Sequence, residues 1–291
     1  MSIRKILVTG ANGQLGWELA QAAPLFPEFE FVFLDRTILD LSKPESFETI
    51  INMIAPNAII NTAAYTAVDK AEIEKELAYT VNTFAVQELA RISKKLAIPF
   101  ITYSTDYVFN GNATSPYLTD MPVDPVNYYG TTKADGEQMA MEVNEQAIII
   151  RTSWVFSAHG NNFVKTMLRL MKERASLSIV GDQKGRPTYA KDLALATINI
   201  LQSLNAGQIV KGIYHYANAG ETTWFGFAEK IKEIEGLNCE LKSINTIEFP
   251  TPAKRPAYSV LDTKKLESDF SFTIPNWEHA LIECIKQINK I

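Results

Sequence analysis

A tyrosine and a lysine four residues apart are the first residues in this sequence whose spacing suggests chemistry. Tyr129 and Lys133 lie in "NYYGTTKADGEQ", at the predicted start of a helix. Residues four apart are neighbours on one helix face, so the ammonium can stabilise a phenolate. A free tyrosine has a pKa of about 10, and nearby positive charge lowers that pKa. The pair therefore indicates a general acid acting on a carbonyl oxygen, although a surface pair without function is the alternative.

Polar and small residues at two predicted strand ends suggest where that carbonyl would lie. "YSTDYVFNG" places the hydroxyls of Ser104 and Thr105 where a substrate oxygen could be held, and Thr105 could hydrogen-bond the same oxygen as the tyrosine. "NTAAYTAVDKAE" contains Ala63 and Ala64, which leave room for a nicotinamide ribose. Ligands of open α/β sheets bind beyond such strand ends. Ordinary strand-end hydroxyls that cap loops are the alternative.

A glycine-rich turn near the start of the chain predicts a dinucleotide site. Gly10, Gly13 and Gly16 in "VTGANGQLG" follow a strand and open a helix. Glycines permit a tight turn and close approach of a pyrophosphate, and a helix N-terminus offers N–H groups to it. The second strand ends in Asp35, placed to bond a ribose hydroxyl, and the adjacent Arg36 could accept a 2′-phosphate. NADH and NADPH both stay open, and a plain strand-to-helix turn is the alternative.

The predicted dinucleotide contacts come from this turn, from the strand ends and from the tyrosine–lysine pair. Asp40 and Leu41 either flank the adenine or only cap a helix. The full set is Gly10, Asn12, Gly13, Gln14, Leu15, Gly16, Asp35, Arg36, Asp40, Leu41, Ala63, Ala64, Tyr65, Tyr103, Tyr129 and Lys133.

Alternating strand-like and helix-like segments predict the scaffold. Alternation at this spacing requires crossover connections, hence a parallel sheet with helices on both faces. Past residue 155 the helices are shorter and the loops longer. We predict a Rossmann-type doubly wound α/β sheet in an NAD(P)-binding domain over 1–155, with segments near 177–217 returning to it, and a smaller substrate-binding lobe over 156–291. Predicted strands are 3–10, 29–35, 57–61, 99–105 and 147–153, and predicted helices are 14–23, 43–55, 70–97 (one or two), 161–173, 191–204 and 222–234.

Composition excludes several other classes. The 291 residues are 46% hydrophobic and 21% charged, as in ordinary globular proteins, and the net charge of -5 disfavours general nucleic-acid or membrane-surface binding. Cys239 and Cys284 show neither metal-ligand spacing nor a disulfide framework, which fits a reducing compartment. No signal peptide is recognisable, and no apolar run reaches the roughly 20 residues that span a bilayer. A cytoplasmic protein is therefore expected.

Several motifs taken together resemble one enzyme family. "TGANGQLGWEL", "YSTDYVFNG", "YYGTTKADGE", "RTSWVF" and "DQKGRPTYAKDLA" occur in this order. With them the chain resembles the extended short-chain dehydrogenase/reductases and, within these, is similar to the dTDP-4-dehydrorhamnose reductases. The resemblance implies reduction of the C4 keto group of dTDP-4-dehydro-L-rhamnose by NAD(P)H, for cell-surface polysaccharide synthesis. It assigns proton donation to Tyr129, its support to Lys133 and carbonyl contact to Thr105.

The resemblance also implies a set of substrate contacts. Trp154 would lie against the sugar or the nicotinamide. Arg255 is preferred for the diphosphate because arginine binds phosphate through paired hydrogen bonds, with Lys254 and two asparagines as further candidates. Arg186 either contacts the ligand or only ties down its loop. The predicted substrate contacts are Val68, Ser104, Thr105, Asp106, Trp154, Asn161, Asn162, Arg186 and Arg255.

One position departs from the family pattern. Some members are described as dimers bridged by magnesium through acidic side chains, and Glu18 matches one such position. The second acid falls at Lys191, with Asp192 adjacent. The magnesium ion and the bridged homodimer therefore both stay open.

Three other functions use the same scaffold. A sister nucleotide-sugar reductase or epimerase would share most motifs. A dehydratase would need two acids beside Thr105, and Asp106 is followed by Tyr107. A regulatory subunit would bind the dinucleotide without turnover, and the intact tyrosine, lysine and threonine argue against that.

Overall fold

The structure is a computed structural model that describes residues 4–290, so the first residue of the predicted strand 3–10 and the last residue of the predicted lobe lie outside it. Its strands are β1 Lys5–Thr9, β2 Glu30–Leu34, β3 Ala58–Asn61, β4 Phe100–Thr105, β5 Ile148–Thr152, β6 Val155–Phe156, β7 Ser176–Val180, β8 Lys184–Gly185, β9 Thr188–Tyr189, β10 Gly212–His215, β11 Thr222–Thr223 and β12 Glu240–Ile244. Its α-helices are α1 Gln14–Ala22, α2 Phe47–Ile54, α3 Val68–Ala71, α4 Lys75–Tyr79, α5 Ala85–Lys95, α6 Tyr128–Val143, α7 Phe163–Glu173, α8 Ala190–Asn205, α9 Trp224–Glu235, α10 Lys264–Phe270 and α11 Trp277–Ile288.

Six strands form one sheet in the order β10-β5-β4-β3-β1-β2, and every neighbouring pair is parallel. This confirms the predicted doubly wound α/β sheet. The chain moves from β1 outward to β2 and then returns to the other side of β1 as β3. At such a reversal the two connections leave in opposite directions, which opens a crevice at the carboxyl ends of the strands.

Both faces of the sheet are covered, as parallel sheets require. Side chains alternate along β1, so Ile6 and Val8 pack on one face and Leu7 on the other, all fully buried. The first face packs against α1 and α8, through residues such as Leu19 and Leu201. The second packs against α2 and α5. The sheet is therefore a rigid base that fixes where each strand ends.

The predicted long helix over 70–97 is interrupted. It consists of α3, α4, a π-helical turn over Thr80–Phe84, and α5. The buried Asn82 in this turn pairs with the backbone of Tyr65, at 2.9 and 3.0 Å, and its amide donates to Thr132 Oγ1 at 3.0 Å. The interruption thus ties the loop after β3 to helix α6, and both contribute to the cleft described below.

The second half of the chain contributes to two cores. Strand β10 pairs with β5 and α8 packs on α1, so these elements belong to the sheet's core. Helices α7, α9 and α11 enclose a second core with the parallel pair β7–β12. Two short pairs, β6–β9 and β8–β11, complete this half, and Phe156 of β6 and Tyr189 of β9 belong to the second core. Over residues 4–290, none of the helices has the length and apolar character needed to cross a membrane.

Leu201→Ala should lower the free energy of unfolding by about 2–5 kcal/mol, because it opens a cavity where α8 packs on the sheet. Leu201 is fully buried, whereas Leu195 on the same helix is 36% exposed. Leu195→Ala is the matched control, with a smaller expected loss. Urea unfolding measures both values, and equal losses would contradict the packing described for α8.

Candidate active site

A cleft of about 750 Å³ opens at the carboxyl ends of the central strands, where the strand order reverses. Its volume suits a small-molecule ligand or cofactor. Its walls include Gly10 after β1, Asp35 after β2, Thr62 after β3 and Ser104 in β4. The cleft therefore collects residues from four strands that are distant in sequence.

The glycine-rich turn at one end of the cleft has no room for side chains. Gly10 has φ of +70°, and a Cβ there would lie 2.8 Å from Ala63 N. A Cβ at Gly16 would lie 2.3 Å from the Gly10 carbonyl oxygen. Helix α1 begins with Gly13 as N-cap and has no side-chain cap, which leaves N–H groups of its first turn for an anion. These features fit the pyrophosphate of a dinucleotide.

An acidic and a basic side chain, Asp35 and Arg36, lie next to each other where the ribose of the adenosine is expected. Asp35 Oδ1 accepts hydrogen bonds from the Thr37 hydroxyl at 2.5 Å and the Thr37 amide at 2.9 Å. These bonds lower the pKa of Asp35, so it is ionised at neutral pH. Arg36 lies 3.3 Å from Asp40 through its Nε atom, and its side chain is 75% exposed. Asp35, Arg36 and Asp40 all line the cleft.

The tyrosine–lysine pair lies in the first turns of α6. Asn127 caps this helix by accepting a hydrogen bond from Gly130 N at 2.8 Å. Tyr129 and Lys133 are both buried and both line the cleft. Lys133 Nζ donates to the carbonyl oxygen of Tyr103 at 2.7 Å, which fixes the ammonium against β4. The predicted shared helix face is thus present, and it is docked on the sheet.

The protonation of the pair differs from the sequence-based prediction. In the protein alone, burial raises the pKa of Tyr129, and the nearby Asp106 raises it further, while a hydrogen bond with Thr105 lowers it less. Burial lowers the pKa of Lys133 to about 8, against the opposing attraction of Glu137. Desolvation penalises both charged forms, which spacing along a helix does not reveal. A raised pKa keeps the phenol protonated at neutral pH, as a proton donor in a reduction requires.

Beside the phenol, the end of β4 presents three buried polar side chains. Thr105 Oγ1 donates to Asp106 Oδ1 at 3.0 Å. Asp106 Oδ2 and Ser104 Oγ have no hydrogen-bond partner among residues 4–290. Burial raises the pKa of Asp106 to about 6. Buried polar atoms are normally paired, so these two atoms are candidates for bonds to ligand hydroxyls.

A segment from the second half of the chain, the strap (157–162), lies over the glycine-rich turn. The His159 ring is 3.0 Å from the Asn12 carbonyl oxygen through Nε2 and stacks on Trp17. Asn162 Nδ2 donates to Gln14 Oε1 at 2.9 Å. Asn161 and its neighbour Gly160 line the cleft. The strap therefore joins the second half of the chain to the expected dinucleotide site.

The predicted metal ligand Glu18 is hydrogen-bonded to a residue of this strap. It is buried and accepts a hydrogen bond from Ser157 Oγ at 2.6 Å, and burial raises its pKa. Lys191 is exposed, and the adjacent Asp192 accepts a bond from Asn218 at 2.7 Å. Over the described range, no group of three or more His, Cys, Asp or Glu side chains could hold a metal ion.

Two predicted substrate residues are held by other side chains. Arg255 makes a bidentate pair with Asp69, at 3.0 and 2.8 Å, and its NH1 also donates to Thr251 Oγ1 at 2.6 Å. Trp154 has a left-handed φ of 48° and stacks on Trp224, with ring centroids 3.6 Å apart. Each side chain is thus fixed in the protein alone.

The cleft brings together most of the predicted residues but not all. Those outside its lining are Gly16, Glu18, Val68, Thr105, Asp106, Trp154, Asn162, Arg186, Lys254 and Arg255. Arg186 donates to the Leu261 carbonyl oxygen at 3.0 Å, while its Nε has no partner among the described residues. Asn162 caps α7 through Lys165 N.

Sequence reasoning missed several residues that line the cleft: Thr62, Lys70, Glu74, Val155 and Leu193. Thr62 could have been found, because it follows β3 directly, and its hydroxyl donates to the Thr9 carbonyl oxygen at 2.6 Å. Val155 and Leu193 are apolar and come from the second half of the chain. Only the folded structure brings them to the cleft.

Comparison with known proteins agrees with this arrangement. Residues 4–290 match the family model described as the RmlD substrate binding domain. A dTDP-4-dehydrorhamnose reductase of Burkholderia thailandensis is 42% identical over 296 residues, which cover 98% of this chain and 99% of the relative. The Escherichia coli K12 enzyme of the same name is 41% identical, with 97% of each chain covered.

Solved structures agree as well. The dTDP-4-dehydrorhamnose reductase of Bacillus anthracis in complex with NADP has a TM-score of 0.92 at 36% identity, covering 99% of this chain and 100% of that one. A Clostridium acetobutylicum reductase has a TM-score of 0.92 at 37% identity, covering 98% and 99%. A UDP-glucose 4-epimerase of Thermus thermophilus, at 18% identity and a TM-score of 0.82, shares the fold. The chain belongs to the dTDP-4-dehydrorhamnose reductase family.

Proposed function

We propose that this protein reduces the C4 keto group of dTDP-4-dehydro-L-rhamnose to dTDP-L-rhamnose at the expense of NADPH or NADH. The observation that carries the proposal is a buried tyrosine one helical turn from a sheet-bound lysine, in a cleft that also contains a glycine-rich turn. Full-length similarity to reductases of this name supports the substrate.

The dinucleotide supplies a hydride to the substrate when it is bound. On the protein side, the glycine-rich turn and the N-terminus of α1 would hold the pyrophosphate, and Asp35 and Arg36 would face the adenosine ribose. Lys133 would hold a ribose hydroxyl. The NADP complex of the Bacillus anthracis relative supports use of such a cofactor.

The chain's own chemistry is proton transfer and orientation. As the C4 carbonyl accepts hydride, its oxygen gains negative charge and takes the proton of the Tyr129 phenol. The Thr105 hydroxyl donates to Asp106 Oδ1 in the protein alone, and it would turn from there to donate a second hydrogen bond to the same oxygen. The Lys133 ammonium favours the resulting phenolate electrostatically. Burial of this group excludes water, which strengthens both effects.

The sugar and diphosphate are assigned to residues that line the cleft or flank it. Ser104, Asp106 and Trp154 are proposed sugar contacts, together with Val68. Asn161 is the diphosphate candidate that lines the cleft. Arg255 is held by Asp69, so a phosphate contact would use N–H groups outside that pair. Arg186 remains a candidate through its unpaired Nε.

The biological setting follows from the reaction. A Bacillus subtilis protein named as a spore coat polysaccharide biosynthesis protein is 38% identical over 97% of this chain. We infer a role in supplying rhamnose for a polysaccharide, in the cytoplasm, where reduced nicotinamide dinucleotides are available.

We also propose that the chain divides near residue 155 into a dinucleotide-binding domain and a substrate-binding lobe. A homodimer is tested by sedimentation with and without Mg²⁺.

The assay is oxidation of NADPH or NADH by purified protein, followed spectroscopically with and without the dTDP-4-keto sugar. Turnover that depends on the sugar supports the proposal. A regulatory subunit would bind the dinucleotide and oxidise none of it. Product analysis separates a reductase from an epimerase, which would return the keto oxidation state unchanged.

Tyr129→Phe should lower kcat by about 10²–10⁴-fold, because the proton donor is removed while the scaffold stays. Cofactor affinity, measured by fluorescence titration, should stay near that of the unaltered protein. Tyr214→Phe is the control, since this tyrosine bonds Asp269 and does not line the cleft. An unchanged kcat in Tyr129→Phe would remove the tyrosine from the mechanism.

Asp35→Asn should shift the cofactor preference toward NADPH by about fivefold or more, since a charge pair about 4 Å apart in water is worth about 1 kcal/mol. Arg36→Gln should shift the preference toward NADH. The ratio of kcat/KM for the two cofactors measures both effects. An unchanged ratio in both variants would show that neither side chain reads the 2′-phosphate.

A further inference from the structure

A buried ion pair stands directly behind the proposed catalytic lysine. Arg151 on β5 holds Glu137 on α6, with Nε 2.9 Å from Oε1 and NH2 2.6 Å from Oε2. The two side chains are only 2% and 7% exposed. A buried ion pair gives little net stability, because desolvation offsets the attraction. The mechanism above does not use this pair, so its position suggests a separate role.

Glu137 continues the line of functional groups on one face of α6. Tyr129, Lys133 and Glu137 are spaced by four residues, so each is a neighbour of the next. A lysine and a glutamate at this spacing commonly form an ion pair. Here Lys133 Nζ bonds the Tyr103 carbonyl oxygen, while both Glu137 oxygens are bonded to the guanidinium. Arg151 thus hydrogen-bonds both oxygens of the Glu137 carboxylate, which would otherwise attract Lys133.

Other contacts hold the Arg151 guanidinium in this position. Its NH1 is 3.4 Å from the Thr119 carbonyl oxygen and 3.4 Å from His215 Nε2. Its central carbon lies 5.0 Å from the centroid of the Phe109 ring. His215 is fully buried, and burial together with Arg151 lowers its pKa to about 3, so it is neutral near pH 7. The arginine is therefore oriented independently of Glu137.

The titratable groups around Lys133 come from several elements. Glu137 and Tyr129 share its helix, Tyr103 lies in β4 and Asp106 directly follows that strand, and Arg151 lies on β5, beside the neutral His215 of β10. Of these, Glu137 is the group whose charge raises the pKa of Lys133 against burial. Arg151 brings a positive charge to the same carboxylate.

We propose that Arg151 is a positioning residue, which holds the Glu137 carboxylate so that the Lys133 ammonium stays on the Tyr103 carbonyl and faces Tyr129 and a ribose hydroxyl. Glu137 still favours the charged form of Lys133 from one helical turn away. The inference rests on the proposed reductase function for its kinetic part. Its electrostatic part concerns the protein alone.

Three variants test the proposal: Arg151→Met, Glu137→Gln and the double variant. Surface controls on exposed groups are Glu142→Gln on the same helix and Arg169→Met on α7. Circular dichroism checks folding. The readouts are kcat as a function of pH and the titration of Lys133 by ¹³C NMR of labelled lysines, with the signal assigned through Lys133→Met.

In Arg151→Met, Glu137 should draw Lys133 away from Tyr103, and kcat should fall by about 100-fold, as expected for a misplaced catalytic group. The Lys133 titration and the alkaline limb of kcat should move to higher pH, because a repelling charge is lost. In Glu137→Gln both should move to lower pH. The double variant should titrate between the two and recover a kcat well above that of Arg151→Met.

Opposite pH shifts in the single variants, with recovery in the double variant, establish the positioning role. An unmoved Lys133 titration in folded Glu137→Gln, or a double variant no better than Arg151→Met, overturns it and leaves a purely structural pair. Should Arg151→Met fail to fold, Arg151→Lys keeps a charge without the bidentate hold and should show a smaller loss of the same kind. Absence of turnover in the unaltered protein would instead reject the proposed function, while the NMR titration would still decide the electrostatic claim.

Discussion

The hydrogen bond from Lys133 to the Tyr103 carbonyl oxygen is the contact on which the proposed site depends. It joins α6, which carries the proposed proton donor, to β4. Strand β4 carries the hydroxyls proposed to contact the substrate carbonyl. A strand interior is rigid because its backbone is bonded on both sides, and β4 lies between β3 and β5. The lysine therefore fixes the tyrosine relative to the sheet as well as supplying charge. The glycine-rich turn is fixed by the same sheet through β1. The proposed dinucleotide site and the proposed proton donor are therefore both positioned by one sheet.

Burial gives these groups their chemistry and also creates a cost. Removing Tyr129, Lys133 and Asp106 from water favours their neutral forms, as the raised pKa values of the two acids and the lowered pKa of the lysine indicate. A neutral phenol suits a proton donor, but a neutral lysine would lose its function. The carboxylate of Glu137 counteracts that loss from one helical turn away. The Glu137 carboxylate is therefore near enough to favour the charged form of Lys133, while its own hydrogen bonds go to Arg151.

Local patterns in the sequence were sufficient to predict the scaffold and much of the cleft. Alternating strands and helices predicted the parallel sheet, and the glycine spacing predicted a turn in which Gly10 and Gly16 allow no side chain. Each of these signals lies within about thirty residues, the size of one strand–helix–strand unit. The strap contacts could not be predicted this way, because Asn162 and Gln14 are 148 residues apart. The direction of the Tyr129 pKa shift was missed for a related reason, since desolvation depends on everything packed around the phenol.

The contacts between the two halves of the chain suggest how the cleft is completed. The strap joins the glycine-rich turn through His159 and Asn162, and Arg255 joins α3 through Asp69. Both ties are polar and lie at the cleft or beside it. Hydrogen bonds of this kind can be exchanged for hydrogen bonds to water. The loops can therefore move to fit a ligand at a small cost in free energy. A polyanionic ligand that pairs with the same loops would replace water as their partner. In the proposed function, the second half of the chain would contribute chiefly to the fit of the substrate, while the proposed reacting groups lie at the end of β4 and on α6.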